Sequence, residues 1–326
     1  MEIVDIHCHA AGIGAGGSGC FVSPSLARNW RFGIYLRSFG VSRRELQSRG
    51  DALVIERIAG RLATSQEVSR AVVLALDGVT DGRGELDREG TELCVPNEFV
   101  AREVARHPNL LFGASVNPGR RDASERLAAA AAAGAVLLKW LPAIQLIDPA
   151  DRRHIPFYRQ LADLGLPLLT HTGSERSFTR ARPELCDPAR LRLPLECGVR
   201  VIAAHAATCG QNGGEANLDR LLRLMAEFPT LYADISSLTQ LNKLGHLARV
   251  LRHGEIHDRL VYGSDFPLTA TLLVSPLTFL GRLPPGTIFA ISRLASPWDR
   301  DVALKRALGV PEEVFGRPKE LLRLPP

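Results

Sequence analysis

Little in this chain points to nucleic acid, to a membrane or to a disulfide framework. Its 326 residues include only four Tyr and three Trp, and no basic cluster is interleaved with aromatics, so there is no base-stacking platform. The net charge of +5 comes from 40 basic against 35 acidic residues. These are dispersed, mostly as Arg among acids, in the manner of a solvated surface. A nucleic-acid partner is therefore not expected, whereas a small, anionic substrate is allowed. No apolar window approaches the ~18 uncharged residues that suggest a membrane span. The opening run Glu2-Ile3-Val4-Asp5-Ile6 lacks the basic-then-apolar order of a signal peptide. The six cysteines (Cys8, Cys20, Cys94, Cys186, Cys197 and Cys209) form neither CxxC pairs nor a secreted spacing. Reduced thiols and a cytoplasmic location are the expectation.

Linkers and phosphate loops are missing as well. There is no Pro/Ser-rich stretch or charge run, and the longest biased segment is Ala128–Ala133 before Gly134, which reads as a helix end. One domain over 1–326 follows. The glycines of Gly12–Gly19 lead into no helix, so they make a weak dinucleotide fingerprint.

What is present is a regular series of short apolar runs bounded by turns. They are Ile3–His9, Ala71–Asp77, Leu110–Asn117, Ala135–Trp140, Leu166–His171, Arg200–His205, Thr230–Ile235 and Arg259–Asp265. Helical segments lie between most of them, for example Ser124–Ala133, Ile155–Leu164 and Leu218–Phe228. Gly134, Gly165, Gly198 and Pro229 punctuate the return into the next strand. Strands alternating with helices imply a parallel sheet covered on both faces. Eight such units close most economically into an α/β (β/α)₈ barrel of the TIM type, with strands inside 3–265 and a helical cover over 268–326, including a helix at Pro297–Leu308.

Two connections are long. The first follows the first strand and carries Trp30, Phe32, Tyr35 and Phe39, then a helix over Arg43–Leu62 opened by a Ser42/Glu45 capping box. The second, Thr172–Leu195, follows the fifth strand and is rich in Arg and Pro. Loops at the carboxyl ends of barrel strands build substrate pockets. Trp30 and Tyr35 are thus candidates for an apolar wall, and Arg176 and Arg180 for binding an acidic substrate.

Five chemistry-bearing residues end predicted strands: His7, His9, His171, His205 and Asp265. Residues two apart on a strand face the same way, so His7 and His9 can reach one ion with Cys8 turned aside. Imidazole nitrogen and carboxylate oxygen suit Zn²⁺ and related first-row ions, and a set of this size leaves a position open for chemistry. His107, His154, His246, His253 and His257 fall in helices or loops and are expected at the surface. Asp77, Asn117, Asp234 and Ser236 are weaker strand-end candidates for lining the pocket.

The motifs Asp5-Ile6-His7-Cys8-His9, Leu169-Thr170-His171-Thr172, Ala203-Ala204-His205-Ala206 and Gly263-Ser264-Asp265-Phe266-Pro267 together resemble the amidohydrolase superfamily. Within it, the likeness is to the amidohydrolase-2 branch, which includes aminocarboxymuconate-semialdehyde decarboxylase and its relatives. The resemblance implies a distorted barrel with one catalytic divalent metal, usually zinc, on His7, His9, His171 and Asp265. It makes His205 an acid/base residue acting on water or substrate, with Asp265 sharing in proton transfer, and it allows a homodimer. Lys139 ends the fourth strand where two-metal members carry a carboxylated lysine, but Trp140-Leu141-Pro142 follows it in place of the branch's Leu-His-Pro. It is read as lining the pocket of a one-metal site. The alternatives are a bridge between two ions and a lysine paired with an acid. Hydrolysis of an amide, ester or lactone is the expected reaction, and non-oxidative decarboxylation of an aromatic or muconate-type acid is the alternative. A non-catalytic ligand-binding barrel would leave the clustered histidines without a purpose.

Overall fold

The structure, a computed structural model, describes residues 1–174 and 181–324. Eight parallel strands run in chain order around a single curled sheet. They are β1 (Ile3–His9), β2 (Val68–Leu74), β3 (Leu110–Ala114), β4 (Leu137–Trp140), β5 (Leu168–His171), β6 (Val201–Ala204), β7 (Leu231–Asp234) and β8 (Leu260–Val261). Each pairs with the next, as in His171 opposite Ala204 and Ala233 opposite Leu260. The architecture is a TIM-like barrel, as the alternation of strands and helices predicts.

Two cores follow from strand alternation. Val4, Ile6, Val72, Leu74, Leu137, Leu169, Ile202, Ala204 and Val261 fill the interior, where Leu321 and Leu322 of the C-terminal segment join them. A larger cluster, including Ile3, Cys8, Ala71 and Val73, lies between the sheet and the helices. The helix Glu313–Leu321 packs on β1 and β8, and Tyr262 donates its backbone N–H to Val314 there.

The seam between β8 and β1 is closed by the chain just beyond β8. Asp265 donates its N–H to the carbonyl of His7 at 2.9 Å, and His9 donates to the carbonyl of Phe266 at 2.8 Å. The segment that completes the barrel is therefore the one that carries the candidate ligand Asp265. Asp5 fastens the same seam: its carboxylate accepts from the N–H groups of His7 (2.9 Å) and Ser264 (2.8 Å), and from the Trp298 indole at 2.8 Å.

Several details differ from the sequence reading. Strand β8 spans two residues, so Asp265 lies past the strand, in a left-handed conformation with φ 64°. The helix expected over Arg43–Leu62 is two helices, Arg43–Arg49 and Ala52–Leu62. The Ser42/Glu45 capping box is formed, but the chain breaks at Gly50, with φ 88° and ψ 164°. The cause lies in the next residue. Asp51 is fully buried and accepts hydrogen bonds from the N–H groups of Ile13, Gly14 and Ala15 and from the Ser18 hydroxyl. The glycine-rich loop is thus a cradle for an internal carboxylate. A third long connection, 75–96, follows β2 and joins the first loop through antiparallel pairing of Phe21–Val22 with Leu93–Cys94. None of the helices, among the described residues, is long and apolar enough to cross a membrane.

Candidate active site

His7 and His9 reach the interior because β1 carries a bulge. Between Asp5 and Cys8 the register slips: residues 5 to 8 span only 71 to 73 of β2. Simple alternation from Val4 and Ile6 would turn His7 outward, and the extra residue resets the phase. On β4, β5 and β7 no reset is needed. Lys139, His171 and Asp234 stand two residues after Leu137, Leu169 and Tyr232, all of which belong to or pack against the interior cluster.

His7 is the hub. Its Nδ1 lies 2.7 Å from Asp234 Oδ2, and an ionised carboxylate can only accept, so Nδ1 carries the proton and Nε2 presents a lone pair. Around that lone pair converge Asp265 Oδ1 at 3.7 Å and Lys139 Nζ at 3.0 Å. His9 Nε2 is 3.2 Å from the same Asp265 oxygen. Burial and the Lys139 charge hold His7 well below the ordinary histidine range, so it is neutral. Burial alone would raise Asp265, but the hydrogen bond from His9 and the nearby His7 and Lys243 bring it below the usual carboxylate value. Two imidazoles and a carboxylate, one imidazole oriented by a second carboxylate, make a donor set that fits a divalent first-row ion.

Gly263 is required for this packing, since a Cβ there would come 2.9 Å from His7 Cβ.

His205 does not end its strand as expected. β6 stops at Ala204, and His205, Ala206 and Ala207 follow with φ of 58°, 47° and 49°. Left-handed backbone at three successive non-glycine residues is costly. The turn is secured from β7, where Asp234 Oδ1 accepts the N–H groups of His205 (2.8 Å) and Ser236 (3.0 Å). It sets the His205 ring 5.2 Å from that of His7 and 5.0 Å from that of His171. His205 Nδ1 faces the Ser236 carbonyl at 3.1 Å and the hydroxyls of Ser236 and Ser237 at 2.8 and 3.0 Å. A carbonyl cannot donate, so the tautomer that satisfies this nest has Nδ1–H and leaves Nε2 unprotonated. Burial first, then Lys243 and His171, hold this imidazole well below the usual histidine pKa.

The remaining candidates are placed as follows. His171 is buried at the end of β5, outside the close trio of His7, His9 and Asp265 and edge-on to His205. Lys139, read as lining the pocket, is buried with its Nζ 3.0 Å from His7 Nε2. Tyr35 is half-buried, and burial, with Asp265 and Cys8 near, pushes its phenol up. Trp30 is 70% exposed, with the Arg31 guanidinium over its ring, so it stands at the solvent and not in a wall. Arg176 and Arg180 lie outside the described residues. Asp77 and Asn117 serve the scaffold: Asp77 binds Arg120, and the Asn117 amide donates to the carbonyls of Gly78 and Gln145. Sequence reasoning missed Lys243, on the loop after β7, which donates to the Ser237 hydroxyl. No periodic or motif signal marks it.

Residues 4–272 match the amidohydrolase family, and the chain belongs to it. Among solved structures it is similar to a TIM-barrel protein of Bordetella bronchiseptica, at 16% identity and TM-score 0.58, covering 94% of this chain and 100% of that one. It is also similar to a putative 2-pyrone-4,6-dicarboxylic acid hydrolase from Pseudomonas putida, at 16% identity and TM-score 0.55, covering 99% and 97%. A third is a dihydroxybenzoic acid decarboxylase from Polaromonas with bound manganese, at 13% identity and TM-score 0.54, covering 99% and 97%. At these identities the likeness establishes the fold. Among curated proteins none matches.

Proposed function

We propose that this amidohydrolase-family chain is a metal-dependent hydrolase that cleaves an amide, ester or lactone of a small molecule. The observation that carries this reading is the placement of His205, with its Nδ1 nested against the Ser236 carbonyl and its ring 5.2 Å from that of His7 in the His7–His9–Asp265 trio. His7, His9 and Asp265 would hold the ion, with His171 as the fourth ligand. A zinc ion bound there would supply Lewis acidity and a more acidic water at neutral pH.

The protein groups divide the remaining work. His205 starts neutral, so it begins as a proton acceptor: Nε2 takes the proton from the attacking water and returns it to the leaving group. Asp265, ionised before reaction, assists that proton transfer. The Lys139 ammonium, enclosed against His7, opposes negative charge developing on the carbonyl oxygen.

Non-oxidative decarboxylation of an aromatic or muconate-type acid is the second reading. It draws on the same residues and is supported by the decarboxylase among the similar structures. One experiment separates the two. The purified protein is assayed for metal content, then offered lactone, amide, ester and aromatic-acid substrates, with His205→Ala as control. Hydrolysis without CO₂ supports the first reading, CO₂ release replaces it with the second, and a protein that binds no divalent metal overturns both.

A further inference from the structure

Charges that mix evenly along the sequence do not balance evenly over the fold. The helices Pro24–Arg28, Trp30–Phe39, Arg43–Arg49 and Ala52–Leu62, which follow β1, carry eight Arg and three acids. That excess equals the +5 of the whole chain, so the remaining residues sum to neutrality. Elsewhere guanidinium groups meet carboxylates, as in Arg120 with Asp77, Arg190 with Asp148 and Arg220 with Asp187. On these helices the three acids are already engaged. Asp51 lies buried in its backbone cradle, Glu45 closes the capping box, and Glu56 pairs with Arg49 at 3.5 Å. Arg43 and Arg61 donate to the carbonyls of Ala27 and Ser38. Arg28, Arg31, Arg37 and Arg44 are exposed and, among the described residues, meet no carboxylate.

The same region exposes apolar side chains. The helix Trp30–Phe39 buries Phe32, Leu36 and Phe39, and the Phe39 ring packs at 5.8 Å on that of Phe266. Its other side, at three- and four-residue steps, presents Trp30, Ile34 and Arg37, with Arg31 beside them. Trp30 and Ile34 are 70% and 46% exposed. The helix packs on Leu268–Ala270, just beyond which Leu272 is 94% exposed. Both segments follow the carboxyl ends of their strands, so they project from the end of the barrel that carries the candidate site. Apolar side chains standing among unpaired guanidiniums match a lipid headgroup layer, where Trp takes the membrane–water interface and Arg meets anionic lipid. A second copy is a poorer partner, because a two-fold contact sets these Arg faces against each other with no acid between. An acidic protein satisfies the cations but must also offer a socket to each protruding side chain; the headgroup boundary of a bilayer receives them without one. We propose that this face docks on a bilayer surface rich in anionic phospholipid, with Trp30, Ile34 and Leu272 at headgroup depth and the unpaired Arg residues on lipid phosphates. The contact is peripheral, since no helix among the described residues is long and apolar enough to span a membrane. It needs neither metal nor turnover, so it stands or falls apart from the reaction proposed above.

The test uses the full chain and vesicles of phosphatidylcholine, alone or with about one third phosphatidylglycerol. In flotation at low salt the anionic vesicles should retain at least about 10-fold more protein than the neutral ones, and about 0.5 M salt should release it by screening. Arg31→Glu/Arg37→Glu should lose at least about 10-fold in binding. Arg192→Glu/Arg223→Glu changes the net charge equally, at residues outside these helices that already pair with Glu227 and Glu215, and should keep most of it. Trp140 and Trp298 are fully enclosed, so a blue shift of emission on anionic vesicles, and quenching by brominated lipid, report on Trp30. Circular dichroism checks folding, and Arg31→Gln/Arg37→Gln takes the place of the charge reversal if that variant unfolds. Equal binding to both vesicle types, equal retention by the two double variants, or flotation with no change at Trp30 overturns the proposal. Binding to neither vesicle overturns it too, and leaves an acidic protein as the partner that the cations fit.

Discussion

Asp234, at the end of the seventh strand, holds His7, on the first, by a 2.7 Å contact to Nδ1. The same carboxylate accepts the N–H of His205 with its other oxygen. One side chain therefore sets the tautomer of a candidate metal ligand and the backbone turn of the candidate base.

Replacing Asp234 by Asn should damage both. The Asn carbonyl keeps a neutral acceptor but loses the charge, and its NH₂ faces groups that need an acceptor. Loss of such an outer partner typically lowers metal affinity by about 10- to 100-fold. Competition with a fluorescent chelator measures this directly. Wild-type affinity in Asp234→Asn would remove Asp234 from the support of the site.

A pH dependence follows from His205. Its folded pKa is held well below the ordinary histidine value of about 6.5, by burial first and then by Lys243. The unfolded chain keeps the ordinary value, so below about pH 6.5 it binds more protons than the folded chain. The stability that depends on neutral His205 is thus present above that value and is lost as pH falls through the folded pKa. Urea midpoints of metal-free protein should fall between pH 7.5 and 5.5, and His205→Gln should flatten the slope. In the wild type, the acid limb of kcat/KM should lie below the ordinary histidine range. An acid limb at or above it would contradict a neutral base.

The barrel was legible because its signals are local. Apolar runs set off by Gly134, Gly165 and Gly198 locate strands, and the two-residue spacing of His7 and His9 on the first strand puts both on one side, whereas Asp265, read as a strand end, stands past β8. What was not legible is decided by partners far away in sequence. The bulge that turns His7 inward depends on the register against β2, and the left-handed turn at His205 depends on Asp234. Trp30, an attractive wall residue by composition, lies on a helix face that meets solvent. The break between the helices Arg43–Arg49 and Ala52–Leu62 depends on Asp51 meeting Ile13, Gly14 and Ala15.

That last contact gives a prediction of its own. Asp51→Ala strips the acceptor from three backbone N–H groups and the Ser18 hydroxyl, all served by one buried carboxylate. Each buried donor left unmade costs about 1–3 kcal/mol, and partial hydration of the loop recovers some of it. A net loss of about 3 kcal/mol in urea unfolding is expected, with hydrogen exchange over 12–20 accelerated well before global unfolding. Unchanged protection in that loop would show that other contacts order it.

The helix Pro297–Ala307 buries an ion pair behind the Asp265 segment. Lys305 and Asp301 are both fully enclosed, with Nζ 2.6 Å from Oδ2. Lys305 also donates to the carbonyl of Gly263 at 2.9 Å, and the Tyr262 hydroxyl donates to Asp301 at 3.0 Å. Burial, opposed by Lys305, pushes the Asp301 carboxyl up, so the pair is held together against a large desolvation cost. Lys305→Met leaves Asp301 without its cation and frees the Gly263 carbonyl two residues before Asp265. Breaking one side of such a pair costs about 3–5 kcal/mol, a large share of the 5–15 kcal/mol that typically holds a domain folded. The double variant Lys305→Met/Asp301→Leu removes both charges and should regain much of that loss. It should not regain metal affinity, because the Gly263 carbonyl stays untethered in either background. Urea unfolding reads the first effect and chelator competition the second. Recovery of both in the double variant would mean that the pair serves packing alone and that the Asp265 segment is placed without it.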